Sequence, residues 1–112
     1  MIAKALVAAV IFSMLLAAPA EASSPHVRGW ASWYRWHPRQ AAAGPALRRM
    51  LGPHWRGRWV TVHFIGHRVS RRVKLTDWCA CGPRRGIPTV IDLNLGSFPW
   101  PSRGIVLVTV TP

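Results

Sequence analysis

Apolar and polar positions alternate most regularly in the middle of the chain. Between Arg58 and Phe64, Val60, Val62 and Phe64 fall on one side and Trp59, Thr61 and His63 on the other, the period-two pattern of a half-buried strand. Ile65-Gly66-His67 reads as a tight turn. Beyond it Val69, Arg71, Val73 and Leu75 alternate with Ser70, Arg72 and Lys74, so the two segments form a hairpin with a basic outer face. Gly29 to Arg35 has the aromatic content of a first strand, with Trp30, Trp33 and Tyr34. Thr89 to Leu93 is a short apolar strand. Ile105 to Val110 is apolar on both faces, which predicts a central strand of a sheet or barrel.

The remaining stretches are punctuated by turn residues. Residues 37–57 hold Pro38, Gly44, Pro45, Gly52 and Pro53, and read as a loop with one or two helical turns that start at Pro45 and face Leu47, Met50 and Leu51 inward. Residues 81–88 are turn-rich, and Gly96, Pro99 and Pro101 mark a connector. Five or six short strands with one or two short helices predict a small all-β fold, a barrel or a sandwich.

The first residues change the picture of where this fold works. Lys4 precedes an apolar run from Ala5 to Ala18, broken only by Ser13, and Pro19-Ala20-Glu21-Ala22-Ser23 follows. That layout predicts a secretory signal peptide over residues 1–22, cut before Ser23, and a single domain over 23–112 with no transmembrane segment after cleavage. The expected location is extracytoplasmic, secreted or at the cell wall, and the expected state a monomer. Cleavage would remove Lys4 and Glu21 together, so the net charge of +12 is unchanged and Asp77 and Asp92 are left as the only acidic side chains. Such an imbalance favours anionic partners, among them teichoic-type polymers. The basic residues are spread along the chain without an aromatic stacking platform, so nucleic acid is not an expected partner.

Cys79 and Cys81 are the only cysteines. A disulfide between them closes a very short loop and stabilises little; a metal site completed by His63 or His67 is the other reading. No cofactor is implied.

Two segments, Val73-Lys74-Leu75-Thr76-Asp77-Trp78-Cys79 and Val90-Ile91-Asp92-Leu93-Asn94-Leu95-Gly96-Ser97-Phe98, are followed by Gly104-Ile105-Val106-Leu107-Val108. Together with the opening Gly29-Trp30-Ala31-Ser32-Trp33-Tyr34 and the Ala41-Ala42-Ala43-Gly44 element, they resemble the double-psi β-barrel family of rare lipoprotein A-like proteins and the catalytic-like domain of expansins. The resemblance implies a six-stranded double-psi β-barrel with a polysaccharide groove. It implies functional roles for Asp92, which matches the aspartate of the family's Asp-Leu-Ser element, and for Asp77, which matches the aspartate before the turn. The family histidine has no counterpart; Gly44 stands in its place. The family's additional cysteines, partners for those of the turn, are also missing, and the fold must hold without those crosslinks.

The expected chemistry is that of a wall glycan, peptidoglycan above all. A lytic transglycosylase needs only one carboxyl, acting first as acid and then as base, because the sugar's own hydroxyl attacks. Such an acid needs a raised pKa, which burial supplies and a field of arginines opposes. Trp33, Tyr34, Trp36 and Trp78 are the candidate sugar-stacking rings. Two other readings stand beside catalysis: a non-catalytic wall-binding or wall-loosening module, and a cationic protein that holds anionic polymers or nucleic acid by charge alone.

Overall fold

The computed structural model describes residues 24–35, 39–100 and 103–112; the expected signal peptide and Trp36 lie outside them. Among the described residues the strands are β1 (Val27–Tyr34), β2 (Gln40–Ala43), β3 (Trp59–Phe64), β4 (Ser70–Trp78), β5 (Thr89–Asn94) and β6 (Val106–Thr111). They close into a barrel in the order β1-β5-β2-β4-β3-β6. Strands β1 and β5 run parallel, as do β2 and β4, while the other neighbours are antiparallel. These two parallel couplings between strands distant in sequence give the double-psi topology.

The barrel interior is built from small and branched side chains. Ala31, Val60, Val62, Val73, Leu75, Ile91, Leu93, Val108 and Val110 are fully buried, and Phe64 meets Phe98 edge-to-face at 6.4 Å between ring centroids. No described tryptophan is in this buried core; Trp33, Trp55 and Trp100 pack against it from outside, and Trp59 and Trp78 are exposed. A six-stranded barrel is narrow, and β-branched residues fill it where indole rings would overpack it.

Helix α1 (Pro45–Leu51) begins where the sequence pattern places it, with Pro45 in the first turn and Arg48 and Arg49 in the last, where they complement the helix dipole. It packs over β5, with Leu47 fully buried and Met50 and Leu51 partly buried against the core. A 3₁₀ turn, Leu95–Ser97, follows β5.

Three readings of the sequence are corrected. The segment read as a loop from residue 37 contains β2, inserted between β4 and β5. Its Ala41, Ala42 and Ala43 show no alternation because all three are buried, and alanine carries no strand signal of its own. Strand β4 does not end at Leu75, where its alternation stops, but runs on through Asp77 to Trp78. In β6 burial alternates: Val106, Val108 and Val110 point inward, and Leu107, Thr109 and Thr111 are only half-buried on the outer face.

Candidate functional site

The two aspartates reach one side of the barrel through register and bulges. In β5, Ile91 and Leu93 point to the core and Asp92 between them points out. Asp92 is in register with Ser32 of β1 on one side and Ala42 of β2 on the other. In β4, Leu75 points inward, so strict alternation would send Asp77 inward as well. The pairing of β2 with β4 shifts between Ala41 and Ala42, from Leu75 to Asp77, which makes Thr76 an extra residue. That bulge reverses the facing of the residues beyond it, and Asp77 emerges on the surface. The outer face of β1-β5-β2-β4 therefore carries the row Ser32, Asp92, Ala42, Asp77. The aspartates stand two strands apart, about 10 Å at ordinary strand spacing.

Asp92 is half-buried, and Ser32 Oγ donates to its Oδ1 at 2.7 Å. Burial pushes its carboxyl above the usual range, while the Ser32 hydrogen bond and the Arg84 guanidinium pull the other way. Burial wins. Asp77 is exposed and accepts a hydrogen bond from the Trp78 backbone N–H at 2.8 Å, a turn-like local contact. Tyr34 feels both acids: its phenol is raised by burial first, then by the charges of Asp92 and Asp77. It therefore stays protonated and able to donate.

A cleft of about 310 Å³ opens beside Asp92, lined by Ser32, Trp33, Cys81, Gly82, Arg84 and Thr89. Its rim is the segment after β4. Thr89 Oγ1 donates to the Gly82 carbonyl at 3.0 Å, and Trp30 Nε1 donates to the Arg84 carbonyl at 2.9 Å. Arg84 and Ile87 pair across Arg85-Gly86, both at positive φ, 53° and 75°, the geometry of a tight hairpin turn in which glycine is at ease. Cys79 and Cys81 face each other across Ala80 with Cα atoms 5.1 Å apart, within the span of a disulfide. The metal reading is not supported by the placement of the histidines. His63 bonds the hydroxyls of Ser70 and Thr111, His67 stacks on Trp100, and among the described residues no group of three or more His, Cys, Asp or Glu gathers.

The candidate rings divide. Trp33 lines the cleft and Tyr34 is half-buried near both acids. Trp78 is 54% exposed just past Asp77, with the Arg48 guanidinium 5.6 Å from its ring centre. Arg48 also donates to the carbonyls of Ala43 and Cys79 at 2.6 and 3.1 Å, which ties the ends of β2 and β4 together. Gly44 is held against β5: its N–H donates to the Val90 carbonyl at 2.8 Å, and a Cβ there would collide with the carbonyl oxygen of Thr89. Sequence reasoning missed Ser32 and Arg84. Ser32 lay inside the expected first strand, a small polar residue between apolar ones, and Arg84 was one arginine among many.

No protein-family model matches the chain, and no curated protein matches it in sequence. Among solved structures, a mutant of the Clavibacter michiganensis expansin in complex with cellohexaose superposes with a TM-score of 0.56 at 17% identity, over 77% of this chain and 49% of that one. The fold is an expansin-like barrel. This chain spans about half the length of that expansin, so the likeness concerns the barrel alone.

Proposed function

We propose that this protein is an exported, expansin-like module that binds a cell-wall polysaccharide across the outer face of β1-β5-β2-β4. The observation that carries the reading is the row Ser32, Asp92, Ala42, Asp77 beside an open cleft, with Trp33 and Tyr34 at one end and the exposed Trp78 at the other. Hydroxyl-rich chains are held by such a mixture of acceptors, donors and flat rings. The expansin solved with cellohexaose supports a neutral glycan as the ligand class, and the export pattern of residues 1–22 supports the wall, peptidoglycan included, as the setting.

In this site Asp92 accepts from sugar hydroxyls when ionised and donates when protonated, Tyr34 donates, and Trp78 offers a ring to a pyranose face. Binding ranks ahead of cleavage because the one position where the related family has a histidine is Gly44, whose surroundings leave no room for any side chain. One observation favours a second reading, lytic cleavage: burial lets Asp92 keep a proton at a pH where an exposed carboxylate has lost it. In that reaction Asp92 gives its proton to the leaving glycosidic oxygen, then takes the proton of the sugar hydroxyl that closes the anhydro ring.

The test is retention on purified peptidoglycan and on cellulose, with product analysis by mass spectrometry. The native protein is retained, and Asp92→Asn weakens retention by roughly tenfold, the equivalent of about 1.4 kcal/mol. Anhydro-sugar ends from the native protein and none from Asp92→Asn would establish cleavage. Passage of the native protein through both matrices without retention would overturn the glycan reading.

A further inference from the structure

The barrel wall opposite Asp92 carries a second set of exposed groups. Strand β3 lies three strands from β5 in either direction round the barrel. On its outer face and that of β4, Trp59 is opposite Lys74, Thr61 opposite Arg72, and His63 opposite Ser70. Trp59 is 42% exposed, and both Arg72 and Lys74 are exposed. The strip is braced: Arg72 Nη1 donates to Thr61 Oγ1 at 2.9 Å, and the His63 ring joins the Ser70 and Thr111 hydroxyls. Among the described residues no acidic side chain lies in the paired stretches Trp59–His63 and Ser70–Lys74 that form the strip. Of the two described carboxylates, Asp92 is on the far wall and Asp77 lies past the β4 bulge, engaged by the Trp78 N–H.

We propose that this strip is a separate binding surface for an acidic polysaccharide, one whose pyranose rings carry carboxylates. A ring of the polymer stacks on Trp59 and its carboxylates meet Lys74 and Arg72. These two cations project from alternate residues of one strand, about 6.8 Å apart. The charge complementarity requires an anion, and the exposed indole at the end of the cationic row requires a ring in the same ligand. A phosphate polymer without rings would leave Trp59 unused. Single-stranded nucleic acid is gripped by successive aromatic platforms, and this strip offers one. Because β3 lies across the barrel from β5 and the cleft beside Asp92 shares no lining residue with the strip, the protein can hold two polymers at once and tie an acidic chain to a second glycan.

Binding of polygalacturonate is measured for the native protein, Trp59→Ala, Trp59→Tyr, the double variant Arg72→Ala/Lys74→Ala, and the control Arg28→Ala/Arg103→Ala, which removes two exposed cations elsewhere. Methyl-esterified polygalacturonate, poly(glycerol phosphate) and oligodeoxythymidylate are the comparison ligands. Trp59→Ala is expected to lower affinity for polygalacturonate roughly three- to tenfold, with Trp59→Tyr restoring most of it. The strip double variant loses more affinity than the control, esterification removes binding, and the two other polyanions bind more weakly without dependence on Trp59. Added cellohexaose leaves polygalacturonate bound, whether or not the cleft takes it. Equal losses in the strip variant and the control would reduce the effect to net charge and overturn the proposal. So would native-like binding by Trp59→Ala, a Trp59-dependent preference for the oligonucleotide, or displacement by cellohexaose.

Discussion

Asp92 and Tyr34 show how a few side chains carry the electrostatics of the candidate site. The carboxyl of Asp92 is raised by burial against the pull of Ser32 and Arg84, so the folded protein holds this proton more tightly than the unfolded chain. The stabilising effect of that proton is fully present below the unfolded pKa and is lost as pH rises through the folded one; above both values Asp92 is ionised at a burial cost. Asp92→Asn removes this fall in stability with pH, and its amide oxygen can still accept from Ser32. The same substitution removes one of the two negative charges that raise the Tyr34 phenol. Tyr34 is the only tyrosine, so tyrosinate absorbance reports it alone. Asp92→Asn is expected to lower its midpoint in an alkaline titration; an unchanged midpoint would mean that the Asp92 charge does not reach the Tyr34 phenol. At this scale the sequence pattern exposed Asp92 well, as a polar residue flanked by Ile91 and Leu93. It could not show that Ser32, sixty positions earlier, is its donor.

Among the elements, β2 and α1 depend most on close backbone approach. Gly44 links them, and any Cβ there strikes the Thr89 and Val90 carbonyls. Gly44→Ala is expected to destabilise the fold by about 1–3 kcal/mol, the usual cost of overpacking a site whose neighbours are backbone. Thermal unfolding measures it, and a midpoint equal to the native one would show that the contact relaxes at no cost. The hairpin of β3 and β4, the helix start at Pro45 and the short β5 were all legible from periodicity and turn residues. Strand β2 was not, because three buried alanines carry neither alternation nor β-branched character; its hydrogen-bonding partners on both sides make it a strand. The facing of Asp77 was not legible either, since a one-residue bulge at Thr76 undoes the alternation on which such readings rest.

For the whole molecule, a net charge of +12 on 112 residues with three acidic side chains is a source of self-repulsion. Screening should relieve it: the thermal midpoint is expected to rise between low ionic strength and about 0.15 M, where the Debye length shortens to about 8 Å. A midpoint that falls over that range would show that local attractions involving the few carboxylates outweigh the repulsion. What the amino-acid order determined by itself was the set of strands with strong period-two patterns, the basic character, the export signature as an expectation, and the two acids worth watching. Those come from local spacing and composition, which act between neighbours along the chain. Only the tertiary structure decided that the barrel closes with parallel couplings between distant strands, and that Asp92 and Asp77 share a face. It alone set the described tryptophans around the barrel instead of inside it. Register, bulges and the width of a closed barrel arise from contacts between segments far apart in sequence, and no local pattern encodes them.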